Sequence, residues 1–398
     1  MKTCRPSSET SAAKITRQSQ ILSAKLQSLR TDLDPPEATK SLRTFKSREV
    51  ATMLGIAGST LRQMSLDGEG AMPERLENGR RSYTLAQVNE IRRYLAVKRP
   101  VEALEFLPRR RLGEKLQVIA VANFTGGSAK TTTTVHLAHY LALAGLRVLA
   151  IDLDPQASLS AMFGYQPEVD VIDNETVYAA IRYDDDNRRP IRDVIRNTYF
   201  DGIDLVPGNL ELMEYEHETP HAIASGGGIF FRRLGAAINS VEEDYDVIVI
   251  DSSPQMGNLT AGALCAATSL LITVHPAMID VASMNQFLAM VSDVMRVIEE
   301  RGGILEHDFI RYVITRHNPN DVPQVNVVAL LRSLFGEDVL APAVVETTAI
   351  ASAGLEKKSL YEIARGSVGR DTLTRALDSV DAVNLEIFNH LKSVWGRS

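Results

Sequence analysis

The sequence predicts an α/β protein, a doubly wound and mostly parallel sheet preceded by an N-terminal helix and a winged helix-turn-helix domain. Three observations carry this. Apolar runs at 118–124, 147–153, 245–251, 270–275 and 309–315 alternate with helical periodicities, and βαβα order demands a parallel sheet with helices on both faces. Two of the runs end in aspartate, at the strand end where open α/β sheets bind ligands. Charge is also split. Residues 1–115 hold 22 Lys and Arg against 13 Asp and Glu, a balance of +9, and the rest of the chain carries −16. A basic front on an acidic body points to a front that meets nucleic acid.

The composition is that of a globular chain: 398 residues, 44% hydrophobic, 23% charged and 6% aromatic. This is material for two or three domains. Cys4 and Cys265 give neither a disulfide framework nor a metal spacing, which suits a reducing cytoplasm. No apolar run is long enough to span a bilayer, and the first residues are too polar for a signal peptide. The expectation is a cytoplasmic protein without a membrane role.

In chain order, residues 1–10 read as loose. From residue 11 to 33, Ile15, Ile21, Leu22, Leu26, Leu29 and Leu33 fall largely on one helical face. No core lies near that stripe in sequence, so its candidate partners are the same helix of a second copy and its own chain. Asp34-Pro35-Pro36 ends the helix. Residues 41–98 read as the DNA-reading domain. Ser47 caps a helix through Val50, Ala51 and Leu54; Gly55 turns; Ser59 starts a second helix with Thr60, Leu61, Arg62 and Gln63. Asn78-Gly79-Arg80-Arg81-Ser82-Tyr83 forms a wing, and Thr84 caps a helix through Val88, Ile91 and Leu95. The arrangement resembles the winged helix-turn-helix of MerR-like regulators. Its expected DNA contacts are Ser59, Thr60, Arg62, Gln63, Arg80 and Arg81. Residues 99–116, with Arg109-Arg110-Arg111, read as a solvated basic linker.

The body, 117–398, opens on VIAVANFTGGSAKTTTT. A buried strand, a Gly126-Gly127 turn, Ser128, Ala129, Lys130, Thr131, Thr132 and a helix start make a phosphate cradle. Glycines turn N–H groups toward anions, and the helix adds the positive end of its dipole. Lys130 reaches the outer phosphates and Thr131 holds Mg²⁺. The helix stops at Gly145. Asp152 and Asp154, two apart at the end of RVLAIDL, share a face. Asp251 ends YDVIVID and is placed to hold a water on Mg²⁺. Residues 165–200 read as loops and short helices. Helices are expected near 283–301 and 323–335, a last strand at 339–345, and a closing helix over 370–395 through Leu373, Leu377, Val380, Val383, Leu385, Phe388 and Leu391.

The segments TGGSAKTTT, AIDLDPQASLS and VIVIDSSPQMG together resemble the ParA/MinD family of deviant P-loop ATPases. LCAATSLLITVHPAMIDVASMNQFL and ITRHNPNDVPQ are most similar to the partition ATPases of repABC-type replicons. The resemblance implies a P-loop NTPase that binds ATP with Mg²⁺, dimerises, binds operator and nonspecific DNA, and is stimulated by a ParB-like centromere-binding partner. It implies that Lys130 binds phosphate, that Thr131, Asp152 and Asp251 serve the metal, and that Asp152 and Asp154 assist the attacking water. It implies that Arg316 and Asn318 contact adenine. The family signature opens with a lysine where this chain has Thr125, and has glycine where this chain has Ala129. Thr125 cannot supply a charge to a partner's phosphates, so turnover is in question and a nucleotide-switched repressor stands as the alternative. For nonspecific DNA, Lys357 and Lys358, with Arg365, Arg370 and Arg375, are the candidates, against a merely solvated face.

Overall fold

The structure, a computed structural model, describes residues 10–33, 40–75, 79–123, 125–226, 230–303, 305–364 and 369–397. Cys4, residues 1–9, Asp34-Pro35-Pro36, Asn78, Phe124, Arg365 and the side chains of Leu26, Leu29 and Leu33 lie outside that description. The chain divides into two compact units, 1–40 and 41–398. The first holds α1 (Ser11–Leu33), with Ile15, Ile21 and Leu22 exposed.

The second unit begins with β1 (Phe45–Lys46), α2 (Ser47–Met53), α3 (Gly58–Asp67), β2 (Glu74–Arg75), β3 (Arg81–Tyr83) and α4 (Leu85–Lys98). β3 pairs antiparallel with both β1 and β2. Thr84 caps α4 as read: its Oγ1 accepts from Gln87 N at 3.2 Å, and its own N–H donates to Gln87 Oε1 at 2.8 Å. The cap of α2 falls one residue earlier than read. Ser47 is already helical, and the N–H of Lys46 donates to Glu49 Oε2.

The short α5 (Ala103–Phe106) leads to β4 (Gln117–Ala122), α6 (Lys130–Leu143), β5 (Val148–Asp152), α7 (Ser158–Met162), α8 (Pro167–Asp170), α9 (Tyr178–Ile181), β6 (Arg196–Asn197) and β7 (Ile203–Val206). Then come α10 (Leu212–Ala224), α11 (Arg233–Asn239), β8 (Val247–Asp251), α12 (Asn258–Ala266), β9 (Ser269–Val274), α13 (Met278–Glu300), β10 (Phe309–Ile314), α14 (Val322–Phe335), α15 (Thr348–Leu355) and α16 (Arg370–Val394).

The sheet runs β10-β9-β4-β8-β5-β7-β6, parallel except for β6. β4, β5, β8 and β9 are buried along their whole length. This is why they read as unbroken apolar runs rather than alternating ones. One sheet face packs on α6 and α16, and this apolar core continues without a break into Phe45, Val50, Leu61, Ile91 and Leu95 of the N-terminal elements. The other face packs on α10 to α14.

Three expectations change. Residues 339–345 are not a strand: Val339 and Val345 make only isolated bridges to Tyr312 and His317, and Pro342 between them has no N–H to donate. In α16, Leu385 is exposed and Ile387 is buried in its place. The basic linker is not a solvated connector. Arg109 Nε donates to Gly145 O at 3.0 Å, Arg110 Nη2 to Glu242 O at 2.5 Å, and the N–H of Arg110 to Asp246. The chain end is packed too: Trp395 is buried and its indole N–H donates to Lys115 O at 3.0 Å. Among the described residues no helix is long and apolar enough to cross a membrane.

Candidate functional site

The site forms where β4, β5 and β8 end together. Gly127, at φ +85°, turns the loop after β4, and Ala129 takes a left-handed φ of +68° before α6 starts at Lys130. That conformation favours glycine and is strained for alanine. It persists because Ser128, just before it, is buried and held at both ends. Its hydroxyl accepts from Thr273 Oγ1 at 3.0 Å and its carbonyl from Thr315 Oγ1 at 3.0 Å. Asn123 anchors the loop entry, donating to Thr273 O and accepting from the N–H of Thr125.

The predicted catalytic and metal residues meet here. Asp152 and Asp251 are direct neighbours in the β5–β8 register. Thr131 Oγ1 donates to Asp251 Oδ2 at 2.6 Å, and Thr134 Oγ1 lies 3.3 Å from Asp251 Oδ1. Asp152 is fully buried and accepts from Ser160 N at 2.8 Å, Ser160 Oγ at 2.7 Å and Asp154 N at 3.1 Å. Asp154, half-exposed, accepts from the N–H of Gln156. The Lys130 ammonium donates to Thr125 O at 3.3 Å.

Electrostatics sharpen the picture. Burial pushes Asp251 well above the usual carboxylate range, and the Asp152 charge beside it pushes the same way. Asp152 is raised as well, mainly by burial. Burial lowers Lys130, while Asp251 and Asp154 pull it back up. Two buried carboxylates side by side are over-supplied with negative charge. A hard dication with oxygen ligands resolves that, and Mg²⁺ characteristically takes one or two protein oxygens and completes its shell with phosphate and water. The donors fit: they are all oxygens, and among the described residues no cluster of three His, Cys, Asp or Glu is set to cage a metal alone. The loop fits an anion. Thr125 Oγ1 is buried without a hydrogen-bond partner, and no side chain caps the start of α6. Thr131, Asp152 and Asp251 would hold the metal, and Lys130 with residues 126–132 the phosphates.

Of the other expected site residues, Arg316 reaches the loop. Its Nη1 donates to Gly127 O at 3.3 Å, its Nη2 pairs with Glu346 at 3.3 Å, and its φ is +51°. Asn318 instead closes its own turn, accepting from Asn320 N. Thr132 presents its carbonyl to His136 Nδ1 at 2.7 Å.

Away from this site, Ser59, Arg62, Gln63 and Arg80 are exposed, Thr60 and Arg81 half-buried. Gln63 is engaged with Asp67 at 2.8 Å. A groove of about 460 Å³ beside α2 and the following turn is lined in part by Ser47, Arg48, Thr52 and Gly58. Lys358 pairs with Glu356 at 2.9 Å, and Lys357, at φ +51°, is half-buried.

The sequence reading missed two supports of Asp152. Ser160, eight residues on, gives it two bonds and accepts from Gly208 N at 2.9 Å. A Cβ on Gly208 would lie 3.0 Å from Asp152 Cγ. A Gly two residues past the end of an apolar strand was the available signal.

An AAA domain family profile matches residues 116–301. A Sinorhizobium fredii protein carrying the name replication protein A is 48% identical over 387 residues, covering 96% of this chain and 94% of its own. The SopA protein of Escherichia coli K12 is 30% identical over 91% of this chain and 92% of its own. Among solved structures, cobyrinic acid a,c-diamide synthase of Mycobacterium smegmatis with bound ADP and magnesium superposes with a TM-score of 0.55. It covers 70% of this chain and 96% of its own at 23% identity, a likeness of fold.

Proposed function

The chain belongs to the ParA family of partition ATPases, and on that premise we propose that it is a plasmid partition ATPase that also represses its own operon. It binds ATP with Mg²⁺, dimerises, and binds DNA. A ParB-like centromere-binding partner stimulates hydrolysis, and the cycle segregates the replicon. One observation carries the reading: Asp152 and Asp251 lie side by side in register, with Thr131 bonded to Asp251 and Lys130 on the adjoining loop. Phosphoryl transfer needs little covalent help from protein; it needs a lysine, a metal and oxygens in fixed places.

In this reading Lys130 and the amides of Gly126, Gly127, Ser128 and Ala129 cradle the phosphates. Thr131, Asp152 and Asp251 hold Mg²⁺ and its waters, Asp152 and Asp154 orient the attacking water, and Arg316 and Asn318 face the base. The elements over 41–98 act as a winged helix-turn-helix, presenting Ser59, Thr60, Arg62, Gln63, Arg80 and Arg81 to operator DNA. Lys357 and Lys358 meet nonspecific DNA. The exposed apolar stripe of α1 pairs with a second copy. The protein works in the cytoplasm on the nucleoid.

The test is binding of a fluorescent ATP analogue with Mg²⁺ and with EDTA, alongside phosphate release with DNA and the ParB-like protein. Mg²⁺-dependent affinity that Lys130→Ala weakens tenfold or more is expected. No such affinity, or an unaffected Lys130→Ala, overturns the proposal. Thr125 supports a second reading, a nucleotide-switched repressor with little turnover, because it leaves a neutral side chain where the family carries a cation. Phosphate release that stays at background with DNA and partner present selects that reading.

A further inference from the structure

One guanidinium ties three chain segments together. Arg92 lies on α4, four residues after Val88 and three before Leu95, and so on the buried face of that helix. It is only 2% exposed. Its Nη1 donates to Phe106 O at 3.0 Å, and its Nη2 to Met53 O at 3.1 Å and Leu143 O at 2.7 Å. Met53 is the last residue of α2, Phe106 the last of α5, and Leu143 the last of α6. Each is a helix end, whose carbonyls lack intrahelical partners and carry the negative end of the dipole. All three recorded partners are carbonyls and none is a carboxylate. Among the described residues the charge faces helix ends and no carboxylate, and Arg92 Nε is buried without a hydrogen-bond partner.

The approach is tight. A Cβ on Gly145, which stops α6 at φ +100°, would lie 3.1 Å from Arg92 Cδ. Arg109 donates to Gly145 O, so two arginines close the same end of α6. Asn89, one turn before Arg92, adds a bond to Asp201 at 2.6 Å. The other end of α6 is the phosphate loop. One rigid helix of 14 residues therefore runs from Lys130 and Thr131 to the carbonyl that Arg92 grips.

We propose that Arg92 is the positioning residue that couples the nucleotide site to the helices that read DNA. It clamps the C-terminus of α6 to the C-terminus of α2, so a displacement of α6 is delivered to α2 and α3. The guanidinium is suited to this. It is planar, offers a fork of donors, and stays charged at neutral pH even though burial and the Arg109 charge push it down to about 10. Coupling of this kind is reciprocal: nucleotide alters DNA affinity by the factor by which DNA alters nucleotide affinity. The inference rests on the proposed function for what the two sites bind, and on the hydrogen bonds alone for how they are joined.

The experiment uses the full chain and a fluorescent duplex taken from immediately upstream of its own coding sequence, titrated with and without Mg-AMPPNP. The wild type is expected to show a ratio of duplex affinities of about fivefold or more, in line with ordinary allosteric coupling. Arg92→Met is expected to bring that ratio to within twofold of unity while still binding Mg-AMPPNP. Arg92→Lys, which keeps the charge but loses the fork, falls between them. An unchanged ratio in Arg92→Met, or a wild type that binds the duplex equally well with and without Mg-AMPPNP, overturns the proposal.

Amide exchange on the unmutated chain provides a second arm that survives misfolding of the variants. Mg-AMPPNP without DNA should change protection over 50–67 as well as over 140–145. If only the latter responds, the coupling is refuted. A chain that binds no duplex refutes the DNA-reading assignment instead, and the exchange arm then decides the coupling.

Discussion

Gly208→Ala tests how closely the geometry around Asp152 is set. Its added Cβ would lie 3.0 Å from Asp152 Cγ and 3.1 Å from the carbonyl oxygens of both Asp152 and Asp154. Ordinary contact begins near 3.4 Å, so something must give by three or four tenths of an ångström. Asp152 cannot swing aside, because both of its carboxylate oxygens are engaged, by Asp154 N and by Ser160 N and Oγ. Gly208 cannot retreat freely, because its N–H is bonded to Ser160 Oγ. The strain therefore moves Asp152 and Ser160 together. Overpacking of this kind costs about 1–3 kcal/mol, a loss of roughly 1–4 °C in Tm for a unit of this length.

Turnover should fall further than nucleotide affinity. In the proposed function Asp152 orients water and metal, whereas Lys130 and Thr131 sit on a different element, the first turn of α6. A displacement of about 1 Å can cost on the order of 100-fold in rate, so a few tenths should cost about tenfold. The control is Gly354→Ala. Gly354 lies inside α15 with nothing within 4 Å of its added Cβ, and alanine there should be neutral or stabilise by up to about 1 kcal/mol. Thermal melts and phosphate release on the two variants decide the matter. If Gly208→Ala melts and turns over like Gly354→Ala, the idea of a carboxylate held without slack is wrong.

Four further outcomes are expected. Thr125→Lys should raise turnover at least tenfold, since a supplied cation at a phosphoryl transition state is worth roughly 3–5 kcal/mol; equal rates with and without the ParB-like partner would show the substitution to be unimportant. Glu216→Ala should destabilise the fold by about 1–3 kcal/mol in a denaturant titration, because Glu216 accepts from Asn258 N, Asn258 Nδ2 and Leu259 N at the start of α12. Arg62→Ala should weaken duplex binding and flatten its salt slope by about one unit if Arg62 meets a phosphate; an unchanged slope removes it from the interface. The contribution of His136 to stability should also fall below pH 6.5. Burial holds His136 below its ordinary value, so the unfolded chain takes up the proton first, and stability is full above pH 6.5 and declines as pH drops toward the folded value. Denaturation at pH 7.5 and 5.5 should show a smaller decline in His136→Gln than in the parent.

What the sequence showed and what it hid divide along a physical line. Strands buried on both faces have to be apolar throughout, so β4, β5, β8 and β9 announced themselves, and two of them ended in the aspartates that meet across the register. α16 was readable to within a residue because one face packs on the sheet and the other meets solvent. The same signal misled at 339–345, where apolar residues are buried without strand pairing and Pro342 interrupts the donors. It also misled at Leu385, two residues and so about 200° round the helix from the buried Ile387.

The deeper failure concerns arginine. Arg109 and Arg110 were read as solvated and Arg92 drew no notice, yet their guanidiniums reach backbone carbonyls: Arg92 those of Met53, Phe106 and Leu143, Arg109 that of Gly145, and Arg110 those of Glu114 and Glu242, with the Glu242 carboxylate beside it at 3.2 Å. A carboxylate partner leaves a mark in the sequence; a helix-end carbonyl leaves none, because every residue type supplies the same one. The phosphate loop was therefore legible from side-chain chemistry, whereas the clamp at the far end of the same helix was not. In this chain the basic excess of the first 115 residues serves two purposes: part of it faces outward, and part of it holds the helix that begins at Lys130 against the elements that precede it.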